Sequence, residues 1–270
     1  MNYSVLMSTY AKDRPDWLIT AVKSMAEQSL RPYEIVIMID GQIPNELQKA
    51  ISACAERYPG LIRTVPIKEN VGLGEAMRLG IHECGCEWIA RMDADDISDP
   101  MRCEEELRLA NEKNADIVGC DCEEFVDDIN SPRSKRLFPE DHESLIRLSR
   151  RKTPFCHPAV MMKKSAVLKA GNYKQVFLLE DYDLFVRMLA SGSVACSVKR
   201  VLYHVRVNEN FYNRRGGIKY VKTLLCFNWS LLRRRWTSPL DFIVRSCGNV
   251  LVSLSPTWLR KWIYRRFLRK

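Results

Sequence analysis

Long apolar runs are missing from these 270 residues. Apolar residues make up 46% of the chain, yet no uninterrupted stretch reaches the ~18 residues that a membrane-spanning helix needs. The first residues, MNYSVLMSTYAKDRP, lack a basic segment followed by a long apolar one, so they are expected to be a first strand and not a secretory signal. No internal repeat and no low-complexity linker is present. There is no GxxxxGK[ST] segment, which excludes a P-loop. Gly72 and Gly74 are followed by Met77 where the third glycine of a dinucleotide fingerprint would stand, and they come after the third predicted strand instead of the first. A Rossmann dehydrogenase is therefore not expected. The Cys84/Cys86 and Cys120/Cys122 pairs lack the spacing of zinc ligands. With no export signal, the 10 cysteines read as reduced thiols, small residues packed in a core.

Acidic residues are scarce at one end. The chain carries 42 Lys and Arg against 33 Asp and Glu, a net charge of +9. Residues 1–198 hold 25 cations against 31 acids, whereas residues 199–270 hold 17 against Glu209 and Asp241 alone. The composition is that of a globular protein, one large domain or a domain plus an appendage, and the two parts are expected to do different things. Within the basic part, Trp258, Leu259, Trp262, Ile263, Phe267 and Leu268 recur among Arg260, Lys261, Arg265, Arg266, Arg269 and Lys270. A helix here has an apolar face bordered by cations. Such a helix suits an anionic membrane surface. It also fits a helix packed on the main domain with a solvated basic face, or aromatic stacking on nucleic acid. Trp, Ile and Leu on one face favour lipid, and no nucleic-acid partner is expected.

The first 120 residues alternate two periodicities. Strands are predicted over 3–10, 34–40, 61–67, 87–93 and 115–122, and helices over 15–29, 44–57, 73–84 and 99–113. This order implies an α/β fold with a mostly parallel sheet flanked by helices. Further on, helices are predicted over 141–150, 164–170 and 181–191, and strands over 159–162 and 194–206. In open α/β sheets ligands bind beyond the carboxyl ends of the strands. Those ends carry Ser8-Thr9-Tyr10, Asp40-Gly41 and Asp93-Ala94-Asp95-Asp96. Hard cations such as Mg²⁺ or Mn²⁺ take carboxylate oxygens and bridge them to phosphates, so Asp93 and Asp95 are candidate metal ligands. The alternative is that Asp96, Ser98 or Asp99 simply caps the next helix. Glu180, Asp181 and Asp183 open a later helix, where the dipole favours ionised carboxylates; an ionised carboxylate there also suits a general base.

Taken with SVLMSTYAKDRPDWLITAVKSMAEQSL, ENVGLGEAMRLGI, HPAVMMKKSAVLKAGNY and LEDYDLFVRM, these features make the chain resemble the family-2 glycosyltransferases over about residues 3–210. The resemblance implies a GT-A fold, with a Rossmann-like nucleotide-binding half and an acceptor half over 1–210. A basic amphipathic helical tail over 211–270 would meet the membrane. It implies inverting transfer of a hexose or N-acetylhexosamine from a UDP-sugar, with a divalent metal, to a polyprenyl-diphosphate-linked saccharide. The protein would then sit peripherally on the cytoplasmic side of the cell membrane. Thr9, Tyr10, Asp40, Asn70, Gly72, Asp93, Ala94 and Asp95 would bind the nucleotide sugar, and Asp95 with Asp93 the metal. Asp181 would be the base, with Glu180 beside it, and His157 and Arg187 would line the acceptor pocket. Two departures stand out. Arg78 replaces a frequent Asn, and Arg206-Val207-Asn208 replaces an Arg-x-His pattern, with His204 nearby but shifted. A nucleotide-sugar nucleotidyltransferase and a non-catalytic nucleic-acid-binding protein remain as alternatives.

Overall fold

The computed structural model describes residues 1–207, 217–256 and 259. One sheet organises them, with strand order β3-β2-β1-β4-β8-β6-β9-β5 and β7 paired to β6. Its first half is β1 (Tyr3–Tyr10), β2 (Glu34–Asp40), β3 (Ile62–Ile67) and β4 (Trp88–Asp93), all parallel. Side chains alternate across these strands. Tyr3, Val5, Met7, Ile35, Ile37, Trp88, Ala90 and Met92 pack on one face. Leu6, Val36, Met38 and Ile89 pack on the other. Helices cover both faces, which is why the strands read as continuous apolar runs. α1 (Pro15–Ala26), α2 (Asn45–Arg57) and α4 (Arg102–Lys113) put Leu18, Val22, Met25, Leu47, Ile51, Cys103 and Leu107 into the first core. α3 (Leu73–Glu83), α5 (His142–Ser149), α6 (Lys164–Lys169) and α7 (Glu180–Ala190) fill the second with Ala76, Met77, Leu145, Val167, Leu184 and Phe185.

The second half departs from a simple parallel reading. β8 (Val160–Lys163) lies between β4 and β6 (Ile117–Phe125) and is antiparallel to both. β9 (Ala195–Arg206) runs parallel to β6. Two short strands escape the periodicity signal, β5 (Ile97–Ser98) and β7 (Ser134–Arg136), being too short to show alternation. β5 pairs with Tyr203 and His204 of β9 and so ties the loop after β4 to the far side of the sheet. Cys120 and Cys122 are buried on β6, whereas Cys86 is half-buried in the loop before β4. All ten cysteines are free thiols.

The chain ends, among the described residues, in a hairpin of α8 (Ile218–Arg233) and α9 (Pro239–Leu254). α8 packs on the main domain through its own core: Tyr220, Leu224, Phe227 and Leu231 meet Leu179, Tyr182 and Val186 of the α7 region. The aromatic and basic residues singled out at 258–270 lie outside the described residues except Leu259. No helix of the described residues is long and apolar enough to cross a membrane.

Beneath β4, Arg102 and Glu106 form a fully buried ion pair at 3.2 Å, and Arg102 also donates to the carbonyls of Arg91 at 3.0 Å and Val160 at 3.3 Å. Removing one partner leaves an uncompensated buried charge. Glu106→Ala is therefore expected to cost about 3–5 kcal/mol, read as a lowered midpoint in urea denaturation with an unchanged slope.

Candidate active site

The carboxyl ends of β1, β2 and β4 share one edge, because these strands are neighbours and parallel. The Asp40 carboxylate fixes the shape of that edge. It accepts from Val71 N at 2.7 Å, Gly72 N at 3.0 Å and Asn70 Nδ2 at 3.0 Å. The turn at Asn70–Gly72 is thereby strapped to the end of β2. Gly41 makes the close approach possible: it has φ +82°, and a Cβ there would come within 2.8 Å of Asn70 N. Asp40 is 3% exposed, so its side chain organises the backbone of this edge.

Asp93, Asp95 and Asp96 bring carboxylate oxygens within 4.8 Å of one another. Asp93 pairs with Arg91, a guanidinium buried beneath it. Asp96 accepts from Arg206 N at 2.7 Å through one oxygen, and its other oxygen is buried with no hydrogen-bond partner. Asp95 makes no ion pair among the described residues; its backbone carbonyl accepts from Arg206 Nε at 2.9 Å. Burial, then the charges of Asp93 and Asp13, push the Asp95 carboxyl up to about 7, and burial, then the charges of Asp95 and Asp93, raises Asp96. A set of hard oxygens that are costly to ionise together, one of them orphaned, fits a divalent cation. Of the three residues that could have capped the next helix, Asp99 comes nearest to that role, its Oδ1 accepting from Met101 N at 2.9 Å just before α4, whereas Asp96 accepts from Arg206 N.

Asp13 is the member that the sequence did not single out. Its carboxylate accepts from Thr9 Oγ1 at 3.0 Å and Tyr10 N at 3.1 Å. Burial raises it to about 6, and Asp93 adds to the rise. Thr9 is thus engaged with Asp13, and Tyr10 is 38% exposed at the rim. Ala94, 5% exposed, is the small spacer that turns Asp93 and Asp95 toward the same space.

The second acidic segment meets the first. Glu180 and Asp181 begin α7. A Cβ on Gly74 would stand 3.3 Å from Glu180 Cβ, so the absence of a side chain there lets the starts of α3 and α7 approach. Burial raises the Glu180 carboxyl, with Asp181 adding to the rise and Arg91 opposing it. The charges of Arg91, Asp181, Glu180 and Asp93 all act on the buried Tyr173 hydroxyl. Members of both acidic segments, far apart in the chain, thus lie near enough to Tyr173 for their charges to act on it.

His157 and Arg187 sit differently from a pocket lining. His157 is 9% exposed, its Nε2 is 2.8 Å from the Tyr173 hydroxyl, and burial holds its ring neutral. Arg187 pairs with Asp183 at 2.7 Å and donates to the Ala170 carbonyl. Both support the wall behind Tyr173 and α7. Arg78 is taken up by Glu75 at 2.6 Å. His204 pairs with Glu123 at 2.9 Å and does not join the carboxylates; Asn208 lies outside the described residues. Arg206, from the same pattern, stacks on Trp17 at 4.7 Å and Phe125 at 4.5 Å.

The fold is that of the GT-A glycosyltransferases. It matches S. aureus TarS 1–349 in complex with UDP-GlcNAc with a TM-score of 0.66 at 14% identity, covering 86% of this chain and 67% of that one. It also matches the mannosyltransferase PcManGT from Pyrobaculum calidifontis, in complex with GDP-Man and Mn²⁺, with a TM-score of 0.67 at 15% identity, covering 92% and 69%. The family model "Glycosyl transferase family 2" matches residues 4–171; the chain belongs to that family. A relative from Escherichia coli, the UDP-Gal:alpha-D-GlcNAc-diphosphoundecaprenol beta-1,3-galactosyltransferase, is 33% identical over 99% of this chain and 97% of its own. Family membership sets the nucleotidyltransferase alternative aside.

The acidic cluster has a pH signature. Carboxyls whose folded pKa lies above the unfolded value of ~4 bind more protons in the native state, so stability falls as pH rises between about 4 and 7. The melting temperature in chelator is expected to drop from pH 5 to pH 8. Mn²⁺ is expected to raise it more at pH 8 than at pH 5, and Asp95→Asn to flatten both effects in thermal melts.

Proposed function

We propose that the protein transfers a hexose or N-acetylhexosamine, with inversion, from a UDP-sugar to a saccharide carried on a polyprenyl diphosphate. The observation that carries this reading is the convergence of the Asp93–Asp96 cluster and the Glu180–Asp181 helix start around Tyr173 and Arg91. The E. coli relative, by its name, uses UDP-galactose and a diphosphoundecaprenol-linked acceptor, which supports both substrate classes. Thr9, Tyr10, Asp40, Asn70 and Gly72 shape the nucleoside side of the cleft, Asp40 through the turn that it straps. Asp93, Ala94 and Asp95 face the diphosphate, and Asp95, with Asp93, would hold Mn²⁺ or Mg²⁺. When bound, that ion offsets the charge that the departing nucleotide diphosphate gains.

The remaining chemistry belongs to side chains. Asp181, half-buried in the first turn of α7, takes the proton from the acceptor hydroxyl as that oxygen attacks the anomeric carbon from the face opposite the leaving group. Glu180, harder to ionise, is suited to donate or share a hydrogen bond with donor or acceptor. Arg91 holds Asp93 in place and lowers the cost of charge on Glu180 and Asp95. His157 and Arg187 serve the acceptor side through Tyr173 and Asp183. The substrate class and the basic 211–270 region support a peripheral position on the cytoplasmic face of the membrane.

Asp181→Asn is expected to keep UDP binding and lose ~10²–10⁴-fold in transfer rate, the usual contribution of a positioned base. Calorimetry with UDP and release of UDP in the presence of a lipid-linked acceptor separate the two. Transfer at the wild-type rate would remove Asp181 from the base role.

A further inference from the structure

Helix α9 is built inside out. Its buried side is polar: Ser246 is 9% and Ser253 3% exposed. Asn228 Nδ2 of α8 donates to Ser246 Oγ at 3.2 Å. Arg245 lies over the rings of Tyr182 and Phe227 at 4.9 and 5.7 Å and donates to the Arg150 carbonyl at 3.1 Å. Its outer side is aliphatic. Leu240, Ile243, Val244, Leu251 and Leu254 are 55–73% exposed, with Cys247 exposed among them. On a helical wheel these six positions fall in an arc of about 100°, the width of a stripe that helices normally turn toward a core. A contiguous patch of this kind marks a surface that something covers.

Charge identifies the cover. Between 217 and 256 the sequence has six cations against Asp241, which is paired with Arg151 at 3.3 Å. Arg245 is turned inward and Arg234 is paired with Asp183 at 2.9 Å, which leaves Lys219, Lys222, Arg233 and Arg235 as the exposed cations. Two copies of so basic a hairpin would repel each other, whereas anionic headgroups attract it. Trp229, 53% exposed, stands edge-on to Phe242 at 5.9 Å, an amphipathic ring of the kind that settles at headgroup level.

We infer that the α8–α9 hairpin lies flat on an anionic lipid surface, with the Leu240–Leu254 stripe of α9 entering the headgroup boundary. The stripe comes from a different stretch of sequence than the aromatic segment at 258–270. The hairpin is also joined to the proposed chemistry: α8 shares a core with α7, and Arg234 donates to Asp183 at 2.9 Å, in the same first turn of α7 as Glu180 and Asp181. If the transfer proposed above is right, the hairpin sets the height of the base over the lipid that carries the acceptor.

The full chain is tested by co-sedimentation with vesicles of phosphatidylglycerol and phosphatidylcholine, and of phosphatidylcholine alone, alongside light scattering and UDP calorimetry. Binding is expected to the anionic vesicles and to weaken with salt. Ile243→Asp combined with Leu251→Asp is expected to weaken it at least about ten-fold without changing UDP binding, and the milder pair Leu240→Ser and Leu254→Ser to act in the same direction. Binding equal to wild type in both pairs overturns the inference. So does a wild-type dimer that these variants split while vesicle binding is unchanged, or vesicle binding that deletion of 257–270 abolishes and the stripe variants keep. Vesicle binding by a wild-type chain that fails to bind UDP would support the lipid surface and sink the transferase reading instead.

Discussion

Four carboxylates, Asp13, Asp93, Asp95 and Asp96, are gathered at the carboxyl ends of β1 and β4, and the charge of Asp93 adds to the cost of ionising Asp13, Asp95 and Asp96. Such a cluster persists only with a counterweight. Arg91 supplies the permanent part of it from beneath, buried on β4 two residues before the first of the trio. Removing that guanidinium would take from Asp93 the ion pair that holds it.

The same guanidinium links the cluster to α7. Its charge acts on Glu180 as well as on Asp95, and Arg91, Asp181, Glu180 and Asp93 all act on Tyr173. The donor side and the proposed base therefore share an electrostatic environment. His157 and Arg187 belong to this arrangement as supports. One holds the Tyr173 hydroxyl, and the other braces Asp183 on the face of α7 that the hairpin also grips through Arg234. The basic end of the chain is not a loose appendage in its described part, because α8 completes a hydrophobic core with α7.

Much of the fold was legible because doubly covered strands write themselves as apolar runs. EIVIMID and EWIARMD mark β2 and β4, and the Trp17–Met25 spacing marks α1. The placement of β8 was not legible. AVMM reads as a strand, but nothing in four apolar residues says that it inserts antiparallel between β4 and β6. β5 and β7 were missed for want of length. For Asp13, a lone Asp in STYAKDRP carries no periodic or motif signal; only the fold reveals that it lies near Asp93. Arg91 was hidden inside an apolar strand, although a cation in such a run is itself a signal of a buried partner.

The sequence by itself determined the elements, the acidic strand end, the charge asymmetry and the resemblance to a transferase family, because periodicity, composition and short motifs are local properties. The tertiary structure decided which groups meet. It joined Asp93–Asp96 to Glu180–Asp181, gave Asp40 to the Asn70–Gly72 turn, withdrew His157 and His204 into other pairings, and turned the aliphatic side of α9 outward. Each of these depends on distances between residues far apart in the chain, which follow from strand order and helix packing and from no local pattern.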